Sequence, residues 1–323
     1  MLNDANEMLC KNISKLNQIP GILILNDEYS IQLRGYRFKR ESLIESKSNS
    51  RITYRAQGMT TVPVVCKVTM LDCLNPRLKE NLLKNSSRIM RFIGGNGSEP
   101  PHETFVRMYE LFQVDLKIYQ FMDEIKPISI LMMIKQRYRI SEFETREWVH
   151  SICHAIRYIQ QYGIAHRNIK IDHIHFDLNR KVKLTGWNRS VLFWDPTNEQ
   201  IVEQYKEIRS ESNCHMPPEA FSNYYDPSRA DIWSLGVLLS TIHTRRNIFK
   251  VKSKVSFAMQ WVAFASKHRF NEHVYSLLQY IFVFSPQERP SIDQILNHSY
   301  WNAPPNEIER IVSIGNKKIS NNQ

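Results

Sequence analysis

The stretch His166-Arg167-Asn168-Ile169-Lys170-Ile171-Asp172-His173 decides how this chain is read. It follows a run, 143–161, in which Trp148, Ile152, Ala155, Ile156 and Ile159 recur at helical spacing. Four further segments stand in fixed order around it. Val64-Val65-Cys66-Lys67 lies upstream in a stretch, Tyr29 to Met70, whose β-branched and aromatic residues read as three antiparallel strands. Met216-Pro217-Pro218-Glu219 and Asp231-Ile232-Trp233-Ser234-Leu235-Gly236 follow, and Ser285-Pro286-Gln287-Glu288-Arg289-Pro290-Ser291 comes near the end. Five signals in fixed order across about 230 residues are more than coincidence supplies. A helical stretch is expected at 75–93, strands at 105–112 and 117–122, and helices at about 229–244, 255–267, 271–284 and 291–297.

In that order these segments resemble the protein kinase family. The loop is similar to H-R-D-L-x-x-x-N, whose Asp accepts the substrate hydroxyl proton and whose Asn holds Mg²⁺. Lys67 stands at the lysine of V-A-I-K, Met216–Glu219 at A-P-E, and Asp231–Gly236 at the F-helix signature. The resemblance implies an α+β fold of two lobes: a small antiparallel β lobe with one helix, the family's αC, and a larger, mainly α-helical lobe. It places an N-terminal extension at 1–27 and a kinase-like domain at 28–302. Within that domain the small lobe is 28–122, the hinge 123–126 and the large lobe 127–302, with a C-terminal tail at 303–323.

The same resemblance exposes what is missing. Asn168 stands at the catalytic Asp, His173 at the Mg²⁺-binding Asn, and Gly186 at the Asp of D-F-G, followed by Trp187 and Asn188. The phosphate-covering G-x-G-x-x-G needs glycines so that backbone amides can approach phosphate oxygens. The segment 31–41 is expected to supply it, with Tyr36 and Phe38 at the first two glycine positions and only Gly35 present. Ser86 falls at the αC glutamate, and Glu80 lies nearly two turns away. The adenine slot is expected between Val65 and His175, with Met122 as gatekeeper and Lys67 as a remnant of nucleotide contact.

What folds a kinase is retained. His166, Trp187, Met90 and Met108 fall at the four positions of the hydrophobic spine. Asp231 is expected to hold the loop backbone, Glu219 and Arg289 to form a buried pair, and Arg167 and Lys170 persist. The implied function is a catalytically impaired scaffold or allosteric partner in phosphorylation signalling. Two alternatives remain open: an atypical active serine/threonine kinase, with Asp172 as stand-in base or ligand, and a metal-independent nucleotide-sensing switch. No cofactor is expected, and ATP without Mg²⁺ would bind weakly. Protein partners, an active kinase or its substrate among them, are expected. The segments 112–119 and 298–301 resemble the calcium/calmodulin-kinase-like group, with the testis-specific serine/threonine kinases closest.

Composition narrows the classes. At 323 residues and 42% hydrophobic, the chain can bury a sizeable core. No apolar run reaches the ~20 residues needed to cross a bilayer, so no membrane insertion is expected. The five cysteines form no C-x-x-C pair, which suits free thiols in the cytoplasm or nucleus. Net charge is +11, from 43 Lys and Arg against 32 Asp and Glu, with local excess at 34–40, 135–139 and 250–254. No nucleic-acid-binding pattern accompanies the charge, so no nucleic acid is expected. His166, His173, His175 and His215 lack the thiol or carboxylate that would complete a metal site, and Tyr205, Ser210 and Ser212 read as candidate phosphate acceptors.

Overall fold

The computed structural model describes residues 2–48, 51–58, 63–97, 100–177, 179–222, 224–268 and 270–303. Two compact units divide it: residues 1–127, 161–164 and 175–200, and residues 128–160, 165–174 and 201–323.

The first unit is built on a six-stranded sheet. Its strands are β1 (Leu23–Leu25), β2 (Arg37–Ser48), β3 (Arg51–Gln57), β4 (Val64–Met70), β5 (Met108–Val114) and β6 (Lys117–Asp123), in the order β1-β5-β6-β4-β3-β2. The pairs β2–β3, β3–β4, β4–β6 and β5–β6 are antiparallel, whereas β1 runs parallel to β5. Alternation along β4 splits its residues between two faces. Val64, Cys66 and Val68 join Tyr36, Phe112, Tyr119 and Phe121 in the core, while Val65 and Lys67 sit opposite Met122 and Gln120 on the other face.

Two expectations change here. Tyr29 begins no strand, because Asp27 caps a short helix, α2 (Glu28–Leu33), by accepting from Ser30 N–H at 2.7 Å. The segment 31–41 is therefore the end of α2, a turn at Gly35 and the start of β2, not a phosphate-covering hairpin. Tyr36 is buried against Phe121, their ring centroids 4.6 Å apart. The hairpin that joins the first two antiparallel strands falls instead at 48–51, whose Asn49 and Ser50 lie outside the described residues. The segment 36–57 holds no glycine, so the glycine motif is absent in the corrected register too.

The N-terminal residues also do more than precede the domain. A helix, α1 (Leu2–Asn17), buries Ile13 and Leu16 and donates from Asn12 Nδ2 to the Gln161 carbonyl at 2.9 Å. With β1 in the sheet, this unit begins well before residue 28. The helix expected over 75–93 forms in three parts: α3 (Pro76–Asn81), a π turn (Leu82–Ser86) and α4 (Ser87–Ile93). It stops at Gly94, where a Cβ would lie 2.4 Å from Met108 Cβ, so only glycine lets β5 come this close.

The second unit is helical: α5 (Ile130–Lys135), α6 (Glu142–Gln160), α7 (Pro227–Thr244), α8 (Phe257–Lys267), α9 (Glu272–Ile281) and α10 (Ile292–Leu296). In α6 the buried stripe is Val149, Ile152, Ala155, Ile156 and Ile159, with Val149 inside rather than the expected Trp148. Asp226 caps α7, and nearly all of that helix is buried. Gly236 sits where α7 crosses α9; a Cβ there would meet Ile281 Cγ2 at 2.7 Å. The tail from residue 304 lies outside the described residues. Together the sheet unit and the helical unit give the α+β, two-lobed protein-kinase fold that the sequence implies.

Candidate functional site

The loop around Asn168 is fixed by one carboxylate. Asp231, itself fully buried on α7, accepts from the backbone N–H of His166 at 2.6 Å and of Arg167 at 2.7 Å. Arg167 has φ +60°, a left-handed backbone that a side chain with a Cβ rarely adopts. Two bonds from adjacent amides to the same carboxyl hold it there. Burial pushes the Asp231 carboxyl up to about 7 from 3.8, against the pull of the two amides and the Arg167 guanidinium. Between those values the folded chain keeps a proton that the unfolded chain has released, so this group's contribution to stability falls as pH rises from about 4 to 7. The fall is on the order of 4 kcal/mol. Urea unfolding at pH 4 and pH 7 checks it: the wild-type stability relative to Asp231→Asn should drop across this window. No change, or a rise, refutes the assignment.

Arg167 reaches a network that the sequence did not suggest. Its guanidinium donates to the Glu207 carboxylate, to Tyr225 Oη at 3.0 Å and to Gln204 Oε1 at 3.3 Å, and Tyr225 Oη donates to the same Glu207 at 2.8 Å. Burial alone would lower the guanidinium's pKa, but Tyr225 and Glu207 outweigh it and raise the value. In kinases, phosphorylation orders the activation segment through new arginine–phosphate pairs. Here a carboxylate already occupies this arginine, and Glu207 N–H is tied to the Ala220 carbonyl at 2.7 Å. The only sequence signal was an acidic residue upstream of Met216–Glu219. Lys170 Nζ lies 3.5 Å from the Ser212 carbonyl, in the same segment as Ser210 and Tyr205.

Farther along, Arg289 Nη1 donates to Glu219 Oε1 at 2.6 Å and to the Arg229 carbonyl at 2.9 Å, while Nε donates to Val283 O at 3.1 Å. The guanidinium is fully buried and stacks 5.1 Å from the centroid of Trp233.

In the sheet unit, Lys67, Met90, Met108, Met122, Gly186, Trp187 and Asn188 line one cavity with about 30 Å³ of water-accessible space. That admits a water or two, far below the ~300–1,000 Å³ of a small-molecule site. Trp187 is largely buried, donates to the Leu184 carbonyl at 3.0 Å and packs edge-on against Phe105 at 5.4 Å. Val65 shares the cavity face of the sheet, and His175 sits in the strand Ile174–Phe176, but neither is among the cavity's described lining residues.

Ser86, which the sequence resemblance sets at the αC glutamate, is tied into the fold. The π turn brings Ser86 to full burial, where its hydroxyl accepts from Asn81 Nδ2 at 2.9 Å and faces the carbonyls of Asn188 (3.1 Å) and Ser190 (2.9 Å). Glu80 is exposed and paired with Lys84 at 2.7 Å, one turn along the same surface. Gly186 has φ +91°, a region that Asp and Asn enter more readily than other residues. The loss there is thus chiefly of a side chain and not of a backbone shape.

The Mg²⁺ that kinases use needs oxygen ligands. Gly186 offers no side chain and His173 offers ring nitrogens, so the residues present do not fit the ion. The other nearby carboxylates serve turns: Asp177 accepts from Asn179 and Lys181 N–H, and Asp195 from Thr197 N–H. Among the described residues no three His, Cys, Asp or Glu side chains gather to hold a metal, and no helix is long and apolar enough to cross a membrane.

Comparison with known proteins agrees with this geometry. A probable serine/threonine-protein kinase PLK of Dictyostelium discoideum is 25% identical over 210 residues, 63% of this chain and 21% of that protein. Serine/threonine-protein kinase PKH1 of Saccharomyces cerevisiae is 26% identical over 223 residues, 63% of this chain and 29% of its own. Serine/threonine-protein kinase kin-29 of Caenorhabditis elegans is 24% identical over 235 residues, 69% and 26% respectively. The chain thus spans between about a fifth and three tenths of the length of these relatives. The family model described as protein kinase domain matches residues 83–301, starting after Lys67 and running through the last helix. With that match covering more than half of its length, the chain belongs to the protein kinase family.

Proposed function

We propose that this protein is a pseudokinase: a kinase-fold chain that serves phosphorylation signalling as a scaffold or allosteric partner and transfers no phosphate itself. The observation that carries the reading is Ser86. Where an active kinase places a glutamate for its β-strand lysine, this chain places a short hydroxyl and commits it to the Asn188 and Ser190 carbonyls. The site is rebuilt as an internal tie. Asn168, His173 and Gly186 support the same reading, because base and metal ligands are absent from the same reaction path. Removing them withdraws the largest electrostatic contributions to phosphoryl transfer.

The partners of such a chain are an active kinase or its substrate, met in the cytoplasm or nucleus. Placement near the calcium/calmodulin-kinase-like group, and the testis-specific kinases within it, rests on the sequence at 112–119 and 298–301.

The retained Lys67 and Lys170 favour a second reading, an atypical active serine/threonine kinase. A thermal-shift titration with ATP, with and without Mg²⁺, tests the nucleotide side. We expect no shift at millimolar ATP; a ligand at 100 times its Kd would add ~2.7 kcal/mol, and a metal-independent shift would mark a nucleotide sensor instead. Phosphate incorporation into a generic substrate that Lys67→Met abolishes would overturn the pseudokinase reading.

A further inference from the structure

Helix α8 is unusual for a surface helix. Its eleven residues, Phe257–Lys267, include a single charged side chain, Lys267 at the end. A surface helix normally turns a charged face to water, and one that is apolar all round is normally covered. Here Phe257 and Trp261 face inward, while Met259 and Val262 are each 62% exposed and Val255, just before the helix, is 52% exposed. Ala258, Ala263 and Ser266 fill the rest of the outer face, and all three are exposed. Small residues between larger apolar ones leave room for another backbone to approach.

The flanking sequence is one-signed. Lys250, Lys252, Lys254 and Lys267 are exposed, and the segment 250–270 contains no Asp or Glu. The loop before the helix is also held in place. Gln260 accepts from Lys250 N–H at 2.7 Å and donates to the carbonyls of Val255 at 2.8 Å and Lys250 at 3.3 Å, while Arg209 donates to Val251 O at 3.1 Å. The lysines therefore border the apolar face from a fixed backbone, which lowers the ordering cost of binding.

We propose that the outer face of α8, with its lysine border, is a docking surface for an acidic amphipathic helix of a partner protein. Apolar anchors at helical spacing would seat on Met259, Val262 and Val255, and flanking carboxylates would meet the lysines. Methionine suits such a seat because it reshapes to its occupant. A second copy of this chain is disfavoured, since a two-fold contact through this face would set lysine against lysine. A lipid surface is disfavoured as well, because membrane-surface helices turn Trp, Phe or Leu outward, and here Phe257 and Trp261 are buried and Phe264 is half-buried beside Phe270. The inference does not depend on whether the chain transfers phosphate.

The test uses the full chain and a labelled synthetic helical peptide with Leu at i, i+4 and i+7 flanked by Glu. Fluorescence anisotropy should show binding that weakens with salt and falls ~10-fold or more in Met259→Glu/Val262→Glu and in Lys254→Glu/Lys267→Glu. The melting temperature of both variants should match wild type, because every substituted side chain is exposed. A scrambled peptide of the same composition, and one with Lys in place of Glu, should not bind. Equal binding of those controls, or unchanged affinity in both variants, overturns the proposal. So does phosphatidylserine-vesicle binding, or dimerisation in sedimentation equilibrium, that Met259→Glu/Val262→Glu abolishes while no peptide binds.

Discussion

Arg289→Met lowers the stability of the protein by ~3–5 kcal/mol in urea unfolding. The side chain is fully buried and holds three acceptors: Glu219, the Arg229 carbonyl and the Val283 carbonyl. Methionine fills part of the volume beside Trp233 but donates nothing. It leaves a carboxylate that is 16% exposed without its counter-charge, and it removes the donor that the Val283 carbonyl receives from the guanidinium, while the Arg229 carbonyl keeps its place in the α7 ladder. Glu219→Ala in the same background should then cost much less than Glu219→Ala alone, because the uncompensated charge is gone. Additive losses in that cycle would mean that the pair is not the source of the effect.

Asn168→Asp, made alone, leaves phosphate incorporation at background. A positioned base contributes ~10²–10⁴-fold, which is useful only when the γ-phosphate is already held and its charge neutralised. Gly186 and His173 do not supply Mg²⁺ ligands, and Ser86 is bound to the Asn188 and Ser190 carbonyls where a glutamate would orient Lys67. Residues that act as one machine fail together and are not repaired singly. A radiometric assay with ATP and Mg²⁺ or Mn²⁺ on wild type and Asn168→Asp decides this. Incorporation above background in the variant alone would mean that the remaining site is competent and that only its base is lost.

Much of this was legible in the sequence because the helical unit writes its packing into spacing. Residues 143–161 repeat apolar side chains at 3–4, and the helix observed is Glu142–Gln160. The helices expected at 229–244 and 255–267 appear as Pro227–Thr244 and Phe257–Lys267. The sheet unit was read less well. Tyr29 and Ile31 look like strand residues, yet Asp27 caps a helix over them, and local capping chemistry outweighs β-propensity in so short a segment. That one element shifted the register of the glycine-loop comparison. The strand expected at 105–112 begins only at Met108, because Phe105 is used to pack on Trp187. The places given to Asn168, His173 and Gly186 come from the resemblance alone. The Ser86 tie and the Arg167–Glu207–Tyr225 network could not be read from it, since both join residues tens of positions apart through side-chain geometry that no local pattern encodes.

The parallel pairing of β1 with β5 also bears on how the protein can be handled. A version cut at residue 28, where sequence resemblance starts the domain, removes Leu23–Leu25, and one cut at residue 83, where the family model starts, removes β2, β3 and β4 as well. Either cut bares the outer backbone amides and carbonyls beside Phe112, Gln113 and Val114. An uncovered strand of this kind recruits strands from other molecules. Trimming at residue 28 would therefore favour aggregation, and the sixteen residues of α1, with β1 behind them, are what that shortened version would lack.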